Sequence, residues 1–191
     1  MRTYKYKYTL GDLVKKYNCE SITEIPYSEL LQTRDWFVKR IEILNRDDFF
    51  CTVCGSSDVD DGLNIGDNFL YTNKNMISPF ASQTQLNEGY TIKNYGVDKI
   101  TKQPIYLHVH HMYYVKGKAP WDYPSDSLVT MCANCHFSWH EMNEVEYYLE
   151  DGSIINLTPC YRCNGAGHFP HFQHVESGIC FRCKGMRFEE F

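Results

Sequence analysis

Residues 106–141 concentrate the side chains that can bind a metal or transfer a proton. This segment reads YLHVHHMYYVKGKAPWDYPSDSLVTMCANCHFSWHE and holds five of the eight histidines. Side chains alternate faces along a strand, so His108 and His110 share one face of a predicted strand and His111 points to the other. Histidines four apart on a helix lie on one face, so His136 and His140 can reach one point. Histidines that converge from a strand and a helix predict a metal site.

The elements that would hold these histidines follow from local patterns. Residues 105–114 are rich in β-branched and aromatic side chains, which favours a strand. Two prolines mark residues 120–127 as a loop, residues 128–131 read as a short strand, and a helix is expected from residue 136 to about 150. Upstream, Thr9 is placed to cap a helix over residues 9–17. A second helix is expected from Tyr27 through Leu44, where the apolar residues have helical spacing.

The cysteines favour zinc over disulfide bonds. Eight of the nine fall in four Cys-x-x-Cys pairs, at 51/54, 132/135, 160/163 and 180/183. Without a secretion signal this spacing is typical of zinc ligands. The last two pairs are separated by 16 residues, a spacing that suits a four-thiolate zinc site made by Cys160, Cys163, Cys180 and Cys183. A segment this short needs such a metal to fold. Cys19 is left over and is expected to be a buried or idle thiol.

The C-terminal segment contains an internal repeat. PCYRCNGAGH is echoed by GICFRCKG, and the pattern resembles half of the zinc-binding region of DnaJ-type chaperones. The second copy has Arg187 where the pattern has its last glycine. His168, His171 and His174 lie between the two Cys pairs and are expected to be loop or surface histidines. The open alternatives are that one replaces a thiolate or contacts phosphate.

Residues 51 to about 150 resemble the HNH endonuclease family, in the Cys-rich branch of the ββα-metal nucleases. The matching features are the His110-His111 pair, the PWDYP loop, the LVTMC strand and CANCHFSWH. The resemblance implies an α+β fold, with a ββα-metal core, N-terminal helices and two structural four-cysteine zinc sites. The domains would be a helical arm at 1–48, a nuclease core at 49–151 with an insertion at about 56–104, and a zinc-binding module at 152–191.

The resemblance also implies how the cysteines and histidines are used. Cys51, Cys54, Cys132 and Cys135 would hold the first zinc, although a pairing of 132/135 with 160/163 stays open. Four thiolates leave no open position for water, so both zinc ions would be structural.

The histidines take two roles in this resemblance. His110, His136 and His140 would hold one catalytic divalent ion, Mg²⁺, Mn²⁺, Ni²⁺ or Zn²⁺, and His111 would be the general base that activates water. Ser127 stands where the family has an asparagine that steadies the loop and the base. His108 is either a packed strand histidine or a substitute ligand.

Partners are suggested by local charge. The net charge is −5, but residues 1–16 and 93–118 are each rich in lysine or arginine, which fits either a basic track or a solvated surface. By resemblance, Arg40 and Arg46 are candidates for phosphate contact, with pairing to nearby acids as the alternative. Lys116 and Lys118, beside aromatic residues, could line a groove for double-stranded DNA, or those aromatics could pack the loop.

Composition excludes some classes of protein. No stretch of 18 apolar residues occurs and the first residues are too polar for a signal peptide, so an intracellular protein is expected. The family resemblance implies the cytoplasm of a bacterial or phage-infected host cell. The leading hypothesis is an HNH endonuclease that leaves a 5′-phosphate and a 3′-hydroxyl. The alternatives are a non-catalytic zinc module that binds nucleic acid or protein on a degenerate HNH scaffold, with the histidines as a third structural zinc site, and a chaperone-like or redox role for the Cys pairs.

Overall fold

The structure is a computed structural model that describes residues 2–4, 6–57, 90–92, 105–172, 175 and 178–190. The predicted insertion at about 56–104 falls almost entirely outside these ranges. His174 and the lysines at 93, 99 and 102 are outside them too, so the expectations placed on those residues concern parts of the chain that are not described.

The N-terminal part begins with a short strand and three helices. β1 (Arg2–Tyr4) pairs antiparallel with β2 (Tyr90–Ile92). α1 (Leu10–Tyr17) starts at Thr9, which forms the predicted cap together with Asp12. The predicted second helix is in fact two, α2 (Tyr27–Leu30) and α3 (Arg34–Arg46). Thr33 divides them, because its hydroxyl donates to the Leu30 carbonyl at 2.7 Å and accepts from the Trp36 amide at 3.4 Å.

The centre of the fold is a two-stranded antiparallel sheet followed by a helix. β3 (Leu107–His111) pairs with β5 (Leu128–Cys132), so that Leu107 lies opposite Cys132 and His111 opposite Leu128. α4 (Ala133–Met142) follows β5 without a linker. The Cys132 sulphur caps this helix by accepting from the Cys135 amide at 3.4 Å.

Two predicted boundaries need correction. The strand expected over 105–114 breaks at Met112, whose amide donates to the Ser127 carbonyl at 3.0 Å, and the chain resumes as β4 (Tyr113–Val115). The helix expected to reach about residue 150 ends at Met142, because Asn143 turns extended and its side chain bonds the Trp139 carbonyl at 2.9 Å. β6 (Glu146–Tyr148) then pairs parallel with β4 and antiparallel with β7 (Ile154–Ile155).

The central sheet is covered on both faces. α3 packs on one face, where its apolar residues join Leu107 and Val109 in the main core. α4 packs on the other face, against His108 and His110. The chain therefore has a mixed α+β fold with N-terminal helices and small sheets. No helix within the described ranges has the length and apolar character needed to cross a bilayer.

Candidate metal centre

The eight paired cysteines form two four-cysteine clusters. Cys51, Cys54, Cys132 and Cys135 bring their sulphurs together within 4.8 Å, and so do Cys160, Cys163, Cys180 and Cys183. A tetrahedral zinc ion with Zn–S bonds of about 2.3 Å places its sulphurs about 3.8 Å apart. The sulphurs of Cys54 and Cys132 are 3.8 Å apart, and those of Cys163 and Cys183 are 3.7 Å apart. Both clusters thus have the dimensions of structural zinc sites, and the alternative pairing of 132/135 with 160/163 is excluded.

Three histidines converge from β3 and α4. The Nε2 atom of His136 lies 3.0 Å from Nδ1 of His110 and 3.3 Å from Nε2 of His140. Three nitrogens bound to one tetrahedral ion at about 2.0–2.1 Å would lie roughly 3.3–3.4 Å apart, so the spacing fits a metal ion. Each of the three side chains is buried. Since only three protein ligands meet here, a bound ion would keep open positions that the four-thiolate clusters lack.

The ring planes of this triad also fit a metal. An imidazole nitrogen binds through a lone pair in the plane of its ring, so a bound ion must lie in the plane of each ligand. The rings of His110 and His136 cross at 65°, and the ring of His140 crosses each of them at 82°. These steep angles allow the in-plane lone pairs of the three rings to face one another, as ligands of a shared ion must.

Burial keeps the triad neutral. It lowers the pKa of His110 to about 2 and that of His140 to about 4, and it holds the pKa of His136 well below its ordinary range. The Nε2 atom of His110 and Nδ1 of His136 are buried and have no hydrogen-bond partner among the described residues. Neutral imidazole is the form that binds metal, so the donor set fits a divalent ion.

A second histidine cluster adjoins the triad but has a different geometry. His108, His136 and His168 also bring ring nitrogens within 4.8 Å. Their rings are less steeply inclined than those of the triad: His108 is tilted at 39° to His136 and at 32° to His168, and His136 and His168 are stacked at 19°. The His168 ring stacks on the face of His136, whereas an imidazole binds metal through a lone pair in its ring plane, so this cluster is the less favourable metal site. This cluster is therefore a stack that holds the His136 ring in place.

The expectation that His168 is a loop or surface histidine is wrong. The His168 side chain is only 7% exposed, and its ring stacks on His136 with centroids 4.9 Å apart. The cause is the docking of the C-terminal repeat on α4, where Asn164 donates from Nδ2 to the His140 carbonyl at 2.8 Å. His171, by contrast, is exposed as expected.

His111 lies on the opposite face of β3 from the triad. Its side chain is 0% exposed, and its ring stacks on Trp36 with centroids 5.0 Å apart. Its Nε2 atom lies 3.0 Å from the Pro120 carbonyl, whereas Nδ1 is buried and has no partner among the described residues. Burial lowers the pKa of His111 to about 3, against the opposing effect of the Pro120 hydrogen bond. The alternation of faces is as predicted, while the aromatic enclosure by Tyr27, Trp36, Tyr114 and Tyr123 was not.

Ser127 steadies the loop that contacts His111. The hydroxyl of Ser127 donates to the Pro124 carbonyl at 2.8 Å, within the same loop whose Pro120 carbonyl meets His111. Its hydrogen bond therefore stays inside the loop and does not reach the imidazole.

The four basic residues predicted to contact nucleic acid differ in how many partners they have within the protein. Arg40 donates to the Leu107 carbonyl at 2.8 Å. Arg46 donates to the carbonyls of Ser125 and Leu128 and pairs with Asp47. Lys118 lies over the Tyr123 ring at 5.0 Å, and Lys116 is exposed. Both arginines thus bind backbone carbonyls of the sheet and its loop, whereas the two lysines lie beside a cavity of about 890 Å³.

Comparison of the chain with protein-family models, with curated proteins and with solved structures gave no match in any of the three cases.

Proposed function

We propose that the protein is a metal-dependent endonuclease of the HNH type that hydrolyses phosphodiester bonds in double-stranded DNA. The observation that carries this proposal is the triad of His110, His136 and His140. Its nitrogens converge from the first strand and the helix of a strand–strand–helix unit, and that unit starts its helix at a four-cysteine cluster. A ββα-metal core has this order of elements.

The triad would hold the ion and leave room for a phosphate. A divalent ion bound there would supply positive charge to the phosphate oxygens and to the leaving oxygen. The three neutral imidazoles add no negative charge of their own, so the full ionic charge would be available to the substrate. A cavity of about 280 Å³ is lined by His140, together with Glu141, Asn143 and Asn164, and would be the side from which a substrate approaches the triad.

We assign His111 as the general base because its surroundings favour the tautomer with the proton on Nε2. Pro120 offers a carbonyl to Nε2, which places the proton there and leaves the Nδ1 lone pair free to accept a proton from water. The enclosure by Trp36 and Tyr27 must open for water to reach Nδ1. Ser127 would fix the loop that presents the Pro120 carbonyl.

The complete burial of His111 favours a second candidate function. A base that is 0% exposed and surrounded by aromatic rings can equally be a structural core residue. In that case the fold would be a non-catalytic metal module that binds nucleic acid or protein. The two candidates differ in whether any metal supports cleavage.

The deciding experiment is an assay of supercoiled plasmid nicking. Purified protein would be incubated with plasmid in Mg²⁺, Mn²⁺, Ni²⁺ or EDTA, beside His111→Ala and His140→Ala. We expect metal-dependent nicking by the wild type and a loss of at least about 100-fold in both variants, since each removes a base or a ligand. Cleaved ends should carry a 5′-phosphate and a 3′-hydroxyl.

His171→Ala is the matched control, because His171 is an exposed histidine outside the site. It should cleave like the wild type. If no metal supports cleavage of plasmid or single-stranded DNA by protein that retains its zinc, the enzyme proposal fails and the binding module remains. If His111→Ala cleaves normally while His140→Ala does not, the metal site stands and the base is another group.

A further inference from the structure

The two copies of the C-terminal repeat share positive φ angles at equivalent positions, but the second copy has Arg187 where the first has Gly167. Gly165 and Gly185 have φ angles of 80° and 82°, and the next equivalent pair, Gly167 and Arg187, has φ angles of 75° and 78°. Glycine is the residue that adopts this left-handed conformation without steric cost. Arg187 therefore adopts a backbone conformation that favours glycine although it carries a large side chain, which strains the backbone. Strain of this kind concentrates at functional positions.

The Arg187 side chain packs on Tyr114 and lines the cavity beside His140. Its guanidinium lies 4.6 Å from the centre of the Tyr114 ring. Arg187 lines the cavity of about 280 Å³ that also contains His140, and it lines the cavity of about 890 Å³ beside Lys116 and Lys118. Arg187 is therefore shared by the cavity beside His140 and by the cavity beside the two predicted DNA-contacting lysines.

This cation has no anionic partner in the described part of the chain. Glu141 and Glu144 line the same cavity, yet neither forms an ion pair with Arg187. Arg182, in the same copy of the repeat, instead pairs with Glu189. The hydroxyl of Tyr114 is also buried, and it has no hydrogen-bond partner among the described residues. A guanidinium without an ion pair and a hydroxyl without a hydrogen-bond partner, both on residues that line one cavity, are the kinds of group that bind an anion.

We propose that Arg187 binds a phosphate of the nucleic acid and positions it for the histidine triad. The guanidinium would donate to a non-bridging phosphate oxygen, and the Tyr114 hydroxyl would donate a further hydrogen bond. The C-terminal zinc module then contributes to substrate binding as well as to structure. This assignment deepens the proposed function, since it rests on phosphodiester as the substrate.

The test compares Arg187→Gly with Arg187→Lys and with the control Arg182→Ala. Arg187→Gly restores the residue of the first repeat at a backbone that suits glycine, so its melting temperature should not fall. Binding of a fluorescent DNA duplex would be measured by anisotropy at several salt concentrations, with zinc-replete protein and no other divalent ion added. Plasmid cleavage by the same proteins forms the second measurement.

We expect Arg187→Gly to weaken DNA binding by about tenfold. The salt slope, which is the slope of the logarithm of the binding constant against the logarithm of the salt concentration, should fall in magnitude by about 1, as the loss of one phosphate contact requires. The cleavage rate of Arg187→Gly should fall by roughly 100-fold. Arg187→Lys should recover part of this loss, because lysine keeps the positive charge but cannot form the bidentate hydrogen bonds of arginine. Arg182→Ala removes an equal charge from an exposed, paired position and should behave like the wild type in both measurements.

The outcomes separate this inference from the proposed function. If the wild type cleaves and Arg187→Gly binds and cleaves as well as it does, the assignment of Arg187 is overturned while the nuclease stands. If the wild type never cleaves but the salt slope still depends on Arg187, the enzyme proposal fails and the phosphate site stands. If Arg187→Gly and Arg182→Ala lose DNA binding and cleavage to the same extent, the losses come from the lower net charge alone, and the proposal is overturned.

Discussion

The ring of His136 takes part in both histidine clusters. On one side, Nε2 meets His110 and His140, whose rings cross it at 65° and 82°. On the other side, His168 lies nearly parallel to it at 19°. The close nitrogens and steep ring angles favour a shared ion at the triad, whereas the stacked His168 ring meets the face of His136, which carries no lone pair for a metal. The two clusters therefore predict one ion at the triad and none in the stack.

Metal content distinguishes the two clusters directly. With zinc supplied in excess, the wild type should hold one ion in each four-cysteine cluster and one at the triad. His136→Ala should lose the triad ion and keep the other two, as measured by mass spectrometry of the dialysed protein. His108→Ala removes a histidine from the stack alone and should retain all three. A loss of one ion in His108→Ala would show that the stack binds metal and that the ring-plane argument is wrong.

Spacing along the chain predicts some of these residues and not others. His110 and His111 fall on opposite faces of a strand, and His136 and His140 share a helix face, because both relations follow from local periodicity. The burial of His168 depends on how a distant repeat docks on α4, which no local pattern encodes. The aromatic enclosure of His111 has the same origin, since Tyr27 and Trp36 come from helices some 75–85 residues earlier.

At the level of elements, α3 is joined to the metal-binding unit through Arg46. Its guanidinium bonds the carbonyls of Ser125 and Leu128, where the loop enters β5, and it also pairs with Asp47. Burial would raise the pKa of Asp47, but the hydrogen bonds from Arg46 and Thr130 outweigh it and lower the value. These contacts fix the start of the strand that leads to the Cys132 ligand.

We expect Arg46→Met to act on stability. The variant leaves two backbone carbonyls and one carboxylate without this partner, which should lower the free energy of unfolding by about 1–2 kcal/mol. Urea unfolding at neutral pH would measure it, with Lys15→Met as a control that removes a cation from an exposed position on α1. A variant that unfolds like the wild type, yet loses about one unit of salt slope in DNA binding, would instead assign Arg46 to phosphate contact.

The element boundaries show what sequence patterns leave undetermined. Residues 105–114 carry a continuous strand pattern, but the strand breaks at Met112 because the Met112 amide donates a hydrogen bond to the Ser127 carbonyl. The helix pattern after Cys135 extends past residue 142, but residues 146–148 leave it to pair with β4. In both places a partner distant in sequence overrides the local preference.

At the scale of the whole molecule, the two four-cysteine clusters hold α4 at both ends. The first cluster supplies the cap of the helix through Cys132. The second places Asn164 on the carbonyl of His140, near the end of the helix, and His168 against the ring of His136. Partners that orient metal-binding histidines commonly change metal affinity 10–100-fold. The C-terminal cluster should therefore control the triad without contributing a ligand to it.

Removal of the second zinc tests this coupling. In the double variant Cys180→Ser and Cys183→Ser the C-terminal cluster cannot hold its ion, and the segment that carries Asn164 and His168 should lose its order. We expect the affinity of the triad for Ni²⁺, measured by titration calorimetry, to fall about 10–100-fold, while the first cluster keeps its zinc.

Cys19→Ser is the control, because it removes a buried thiol that belongs to neither cluster. It should leave Ni²⁺ binding unchanged. If the double variant loses its C-terminal zinc and still binds Ni²⁺ at the triad with wild-type affinity, then α4 and β3 orient the histidines alone. The packing of His168 on His136 would in that case have no effect on the metal centre, and the C-terminal module would matter only through Arg187.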